Sequence, residues 1–237
     1  MTEKNELRFF LSSPHPCGYL NNQQTSNLVV DPALKLNGNV YGLLSTHGFR
    51  RSGEQIYRPH CQRCSACVPI RVLVDDFVPS KSQRRCLNKN QDLQAYKVTS
   101  IDSEEYYALY ERYICGRHGD GEMYPPSRAQ FKDFLRPAWG ITEYLVFRDA
   151  NDTVVSVAVT DALHDGLSAM YSFFDPDPAF KARSLGVFNI LYQILWARER
   201  GLPYLYMGYW ISESPKMTYK TQYRPYELFK NNQWTSD

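Results

Sequence analysis

The chain has 237 residues, 43% hydrophobic and 14% aromatic, with a formal net charge of +2, which suffices for one large domain or two small ones with a proper core. No stretch approaches the roughly 18 uninterrupted apolar residues of a membrane span, and the opening MTEKNELRFF lacks the basic-then-apolar pattern of an export signal. A globular protein of the cytoplasm is expected, and in that reducing compartment six cysteines read as thiols or metal ligands rather than disulfides.

Residues 1–38 are rich in turn formers around one apolar run, Leu28 to Val30, so mostly irregular backbone with one strand is expected. A short helix follows near Asn39. The segment Gly48 to Val72 then concentrates three cysteines and five arginines, and residues 50–89 hold nine basic side chains against three acidic ones. That local surplus of six, in a chain whose remainder sums to −4, points to a local anionic partner such as a nucleic-acid backbone or a carboxylate ligand. Val68 to Phe77 reads as a buried strand, Ser80 as the cap of a basic helix through about Leu93, and Gln94 to Thr99 as another strand. Asp102 and Glu105 give a helix start signal for an aromatic helix through Arg117, with Tyr106, Leu109, Tyr110 and Tyr113 on one face. A polar loop, Gly116 to Ser127, follows; it gates a site or merely connects.

Three strand-like runs come next, Ile141 to Phe147, Thr153 to Leu163 and Leu167 to Phe174, the last two joined by the turn His164, Asp165, Gly166. Ser184 caps a long amphipathic helix that stops at Gly201. Strand Tyr204 to Trp210 and a short helix near Lys216 complete an α/β (α+β) order matching a GNAT-like acyltransferase core, where an acyl donor sits between splayed central strands. The loop Arg183, Ser184, Leu185, Gly186 partly matches a pyrophosphate loop. Phe188 stands where a small residue is needed to admit a pyrophosphate, which argues against coenzyme A.

Three groups of residues carry chemistry. Cys61, Cys64 and Cys67, with Cys17, offer four thiolates for a structural zinc or an iron–sulfur cluster, or are small buried thiols packing a turn. Arg50, Arg51 and Arg71, with Lys81, Arg84 and Arg85 at a helix start, suit bidentate capture of carboxylate or phosphate. Arg71, in an apolar strand, needs a partner and is either in a structural ion pair or facing a ligand. Lys216 and Lys220 interleave with Tyr209, Trp210 and Tyr219, a pattern that suits a terminal adenosine and its phosphates or else a surface helix with amphipathic tyrosines.

Taken together, CGYL at Cys17, GFRRSG at Gly48, YRPHCQRCSACVPIRV at Tyr57, PSKSQRR at Pro79, YSFFDPD at Tyr171, RSLG at Arg183 and GYWISESPKMTYKTQYRPYE at Gly208 resemble the arginyl-tRNA–protein transferase family. The nearer match is its short bacterial branch, the aspartate/glutamate leucyltransferases. Leu20 and Ser65 stand where eukaryotic members carry cysteines. The resemblance implies an N-terminal transferase region over residues 1–100 and a GNAT-like aminoacyl-transferase region over residues 101–237. It also implies an enzyme that moves leucine from leucyl-tRNA to proteins with N-terminal Asp or Glu, without a required cofactor, a membrane or DNA. Within it, Arg50, Arg51 and Arg71 take the acceptor carboxylate, Asp175 with Tyr171 orients the amine, and Lys81, Arg84, Arg85, Lys216, Tyr219 and Lys220 contact tRNA. Rival readings are an arginyl donor, a small-molecule acetyltransferase, and a non-enzymatic zinc-dependent RNA-binding module.

Overall fold

The computed structural model describes residues 7–34, 36–137 and 139–236, so the reading of residues 1–6 lies outside the described residues. In chain order the elements are β1 (Phe9–Leu11), β2 (His15–Pro16), β3 (Gln24–Thr25), β4 (Asn27–Val30), α1 (Gly38–Thr46), β5 (Arg50–Ser52), β6 (Gln55–Pro59), β7 (Val68–Leu73), α2 (Lys81–Lys89), β8 (Gln94–Val98), α3 (Glu104–Arg117), α4 (Arg128–Leu135), β9 (Thr142–Arg148), β10 (Val154–Ala162), β11 (Gly166–Phe174), α5 (Leu185–Glu199), β12 (Tyr204–Trp210), β13 (Tyr226–Lys230) and β14 (Gln233–Ser236). Short 3-10 helices span Pro178–Arg183 and Pro215–Gln222.

An eight-stranded sheet, ordered β14-β13-β7-β12-β11-β10-β9-β8, organises the molecule. The expected meander is β9-β10-β11, antiparallel throughout. Helix α5 then carries the chain across one face so that β12 pairs with β11 in parallel, the kind of connection that needs a crossover helix. Both β7 and β8, from the first 100 residues, lie inside this sheet, β7 between β12 and β13. Hydrogen bonding therefore runs unbroken across residue 100. A four-stranded sheet, β1-β4-β6-β5, and the pair β2-β3 complete the fold.

Strand β10 is buried at every position but Ala162, because α5 covers one face of the sheet and α3 the other. On the α5 side Phe188, Leu191, Ile194 and Ala197 pack against Phe147, Val155, Leu167 and Leu205. On the other, Tyr110 and Ile114 of α3 pack with Phe131 of α4 against Val157 and Phe173. Two polar pairs cross the first interface, Ser156 with Asn189 and Thr160 with Gln193, each at 2.9 Å. Sharing a hydrogen bond satisfies side chains that would otherwise be costly to bury.

Several expectations need correction. Residues 7–30 hold four short strands rather than one; three of these are two or three residues long and largely exposed, so no alternation marks them. Helix α3 starts from Ser103, without a side-chain cap bond, while Asp102 pairs with Arg136 at 2.9 Å. Ser184 does precede α5, but in a left-handed conformation (φ 53°) and again without a side-chain cap. The short helix expected near Lys216 is present, as a 3-10 helix. Unforeseen were α4, capped by Ser127, and the hairpin β13-β14, whose Asn231 and Asn232 both have positive φ, as a type I′ turn demands.

Candidate functional site

Strands β11 and β12 pair over three positions, Gly166 with Tyr204, Leu167 with Leu205 and Ser168 with Tyr206. Both continue past that point, to Phe174 and Trp210, but no longer pair. A bulge accompanies the divergence in each: β11 shifts register against β10 so that Met170 is left over, and β12 shifts against β7 between Tyr206 and Tyr209. Bulges bend strands and re-aim side chains. Gly208, at φ +80°, supplies the backbone that this one needs.

The gap is a cleft of about 180 Å³. Ala169, Met170, Met207, Gly208 and Tyr209 form its strand walls, Tyr41, Tyr57 and Arg50 close it from the N-terminal elements, and Met217, Tyr219 and Lys220 from the Pro215–Gln222 turn. Arg50 and Lys220 are 8% and 7% exposed. One guanidinium nitrogen of Arg50 reaches Ala169 O at 3.4 Å, while Nη1 is buried without a hydrogen-bond partner among the described residues. Lys220 donates to Tyr209 O at 2.6 Å. Burial, reinforced by the Arg50 charge and opposed by Cys67, pulls its pKa down to about 7. A Cβ on Gly208 would sit 3.5 Å from Lys220 Nζ and 3.8 Å from Arg50 Nε and Nη2, ordinary contact distances, so both cations lie against this point of the strand and it is the positive φ that calls for glycine. Among the described residues no Asp or Glu lines the cleft. Two buried cations facing a space without a counter-charge are unfavourable until an anion enters.

The other two arginines hold internal carboxylates: Arg51 also borders the cleft but is paired, and Arg71 is not among the lining residues, which corrects the expectation of three free forks. Neighbours on a strand point to opposite faces, and Arg51 turns from Arg50 to make a fork on Asp161, with Nε to Oδ2 at 2.7 Å and Nη2 to Oδ1 at 2.8 Å. Both side chains are fully buried, and Thr142 adds a 2.7 Å bond to Asp161. Arg71 bonds Glu227 at 2.7 Å and Tyr206 Oη at 3.1 Å, its guanidinium stacked 3.5 Å from the Tyr204 ring centre and 4.3 Å from that of Trp234. This is the structural ion-pair alternative for Arg71, and it leaves Arg50 as the one of the three arginines without a carboxylate partner among the described residues.

A model described as the C terminus of arginine-tRNA-protein transferase matches residues 105–230, and one described as its N terminus matches residues 15–85. The chain belongs to this family. It is 50% identical over 234 residues to the aspartate/glutamate leucyltransferase of Saccharophagus degradans, covering 99% of this chain and 98% of that one. To the enzyme of the same name from Teredinibacter turnerae it is 50% identical over 236 residues, covering 100% and 96%. Among solved structures it is similar to L-PGS from Bacillus licheniformis, with a TM-score of 0.51 at 14% identity, over 72% of this chain and 58% of that one. The fold is GNAT-like, as the element order led us to expect.

Seen as a transferase of this family, the chain does not assemble the expected Tyr171–Asp175 couple at the cleft. Tyr171 lies in the aromatic cluster beneath α3, its hydroxyl 3.5 Å from Met123 Sδ and its ring against Tyr113 and Phe134. Burial pushes its phenol far above the ordinary range, so it stays protonated. Asp175 holds Arg112 at 2.9 Å and accepts from the Asp177 N–H at 3.0 Å, the turn role that an Asp before Pro commonly takes. It borders a separate hollow of about 510 Å³ with Arg117, Lys181 and Gly186 at the start of α5. Phe188 is buried against Phe147, ring centres 5.0 Å apart, so it serves the core. Lys81, Arg84 and Arg85 are exposed on α2, and Lys216 is exposed on the last 3-10 helix. Tyr219 lines the cleft mouth, but Lys220 lies inside, apart from any exposed phosphate track. Tyr41, Tyr57 and Gly208 escaped the sequence reading; the glycine within YMGYW was the available signal for a bulge.

The four cysteines gather behind the cleft. Burial, together with Cys61, Cys17 and Cys64 nearby, pushes the Cys67 thiol up to about 12. Among the described residues, however, no three His, Cys, Asp or Glu side chains form a group that would hold a metal ion, and the Cys61 thiol is directed to Thr25 Oγ1 at 3.5 Å. Because the thiolate is the nucleophile, alkylation with iodoacetamide at pH 8 should leave Cys67 unmodified while exposed Cys115 reacts, as peptide mass mapping will show.

Proposed function

We propose that this protein transfers leucine from leucyl-tRNA to the α-amino group of proteins that begin with Asp or Glu, creating a degradation signal. The observation that carries this reading is the Arg50 guanidinium, buried, incompletely bonded and beside Lys220 in a cleft without carboxylates. An acceptor's side-chain carboxylate supplies the missing charge, and a guanidinium fork grips it with charge-assisted bonds. The names of the relatives at 50% identity support the same donor and acceptor.

With its carboxylate on Arg50, the acceptor brings its α-amine to the opening between β11 and β12. The amine attacks the ester carbonyl that joins leucine to the ribose, the C–N bond forms, and the ribose oxygen leaves. Holding the two reactants together contributes most of the acceleration, and the activated ester removes any need for ATP. Met170, Met207 and Met217 offer the leucyl side chain a soft apolar wall. An arginyl donor would instead carry a third cation toward Arg50 and Lys220 with no carboxylate to receive it. Exposed Lys81, Arg84, Arg85 and Lys216 provide phosphate contacts for the tRNA, whose binding should weaken as salt rises. Among the described residues no helix is long and apolar enough to cross a membrane, in keeping with work in the cytoplasm.

The test offers labelled leucyl-tRNA and arginyl-tRNA separately with peptides beginning in Asp, Glu, Lys or Ala. Label should pass from leucyl-tRNA to the first two peptides alone. Transfer from arginyl-tRNA, or to the Ala peptide at equal rate, rejects the assignment.

A further inference from the structure

Lys220 reaches into the cleft with no opposite charge to hold it. Its Nζ makes one hydrogen bond, to Tyr209 O at 2.6 Å, and no ion pair involves it among the described residues. A structural lysine is seldom buried this way, since an unpaired ammonium is expensive to desolvate. The groups around it do not change that. Arg50, from β5, repels its proton. Cys67, from the segment before β7, is a neutral thiol at physiological pH, with its pKa pushed up to about 12 by burial and the neighbouring thiols. Tyr57 of β6, also raised to about 12 by burial, and Tyr209 of β12, raised well above its usual 10 for the same reason, remain uncharged phenols. Tyr219, on the same turn, is likewise raised by burial.

We infer that Lys220 is a catalytic residue whose amine takes the proton that the acceptor's α-ammonium must lose before it attacks leucyl-tRNA. The assignment rests on the transfer reading above and adds to it the group that activates the nucleophile. An α-amine with a pKa near 8 is only about one-tenth neutral at pH 7, and a bound carboxylate beside it lowers that fraction further. Lys220, by contrast, has a pKa of about 7 in the empty cleft, so its neutral form is already available. Burial is the main cause of that low pKa and the Arg50 charge the second; when the acceptor carboxylate settles against Arg50, the Arg50 contribution is cancelled. Its proton affinity rises just as the ammonium arrives.

The proton count closes. One proton passes from the α-ammonium to Lys220. The freed electron pair forms the C–N bond, and the ester C–O bond breaks with its pair going to the ribose oxygen. That oxygen takes the second proton released by the attacking nitrogen. Lys220 returns its own proton to solvent as the products leave.

The experiment compares the wild-type enzyme with Lys220→Met and Lys220→Arg, using saturating leucyl-tRNA and an Asp-initiated peptide between pH 6 and 9. Wild-type kcat/KM should climb through pH 7. Both variants should lose about 100-fold in kcat at pH 7, within the usual range for general-base catalysis, with a smaller change in the peptide KM. The deficit should shrink toward pH 9, where solvent deprotonates the acceptor. Ethylamine added to Lys220→Met should restore leucylated peptide, measured separately from any leucyl-ethylamide. A deficit that stays equal at pH 7 and 9 with no rescue, a loss confined to KM, or an active Lys220→Arg variant would make Lys220 a binding cation and overturn the assignment. If Lys220→Met does not fold, Lys220→Arg and the wild-type profile decide. Failure of the wild-type enzyme to leucylate the Asp peptide at any pH would instead reject the transfer reading itself.

Discussion

Replacing Arg50 by methionine is expected to lower kcat/KM for an Asp-initiated peptide by about 100-fold while leaving leucyl-tRNA binding unchanged. Removing one partner of a buried, hydrogen-bonded charge pair costs about 2–5 kcal/mol, and about 1.4 kcal/mol is a factor of ten. Because the carboxylate contact is made on binding, the loss should fall mainly on the peptide KM. Arg50→Lys should recover part of it, since an ammonium keeps the charge and loses the fork. The free protein gives a second, opposite signature. Arg50 Nη1 has no partner there, so methionine relieves an unfavourable burial, and the melting temperature should hold or rise, as at sites where stability is traded for function. Steady-state kinetics and thermal denaturation check both halves. An unchanged peptide kcat/KM would remove Arg50 from the acceptor site.

Asp161→Asn should behave in the reverse way, destabilising the fold by about 3–5 kcal/mol, because it strands the Arg51 guanidinium in a site with no other carboxylate contact. Both side chains are 0% exposed and joined by a fork at 2.7 and 2.8 Å. For a chain of this size the melting temperature should drop by roughly 10 °C. Replacing the pair together by apolar residues, Arg51→Met with Asp161→Leu, should restore much of that loss. Calorimetry on the wild type and these two variants tests this; a double variant as unstable as Asp161→Asn would show that the stranded charge is not the source of the loss. The adjacent arginines of β5 thus do different work. Arg51 clamps the four-stranded sheet to β10, and so holds the strand from which Arg50 projects.

Both arginines stand in one GFRRSG motif, and nothing in their order assigns one to the fold and the other to the cleft. Their separation depends on which face of β5 meets Asp161, a residue 110 positions away along the chain. Arg71 has a similar history, since its partner Glu227 lies on β13, 156 positions away. Lys220 reads from its neighbours as a surface cation among tyrosines; its burial appears only when the Pro215–Gln222 turn folds over the end of β12. The Asp175–Tyr171 expectation treated residues close in sequence as close in role, yet Tyr171 lies within β11 and is packed under α3, while Asp175 lies just past the end of that strand and closes a turn.

What residue order alone determined was the local grammar. Apolar runs and turn formers specified the meander β9-β10-β11 and helix α5, because those elements satisfy their hydrogen bonds and periodicity within about 20 residues of chain, and strand β12 was legible from its own apolar run although its pairing partners are distant. The same order gave the basic surplus around residue 70 and the motifs that place the chain in its family. Tertiary structure alone decided that β7 enters the sheet between β12 and β13, that two of three arginines are neutralised internally, and that Arg50 and Lys220 meet where β11 and β12 part. Those outcomes depend on partners more than 100 residues apart, and on burial, which turns a charge from a surface decoration into a group that must find an anion.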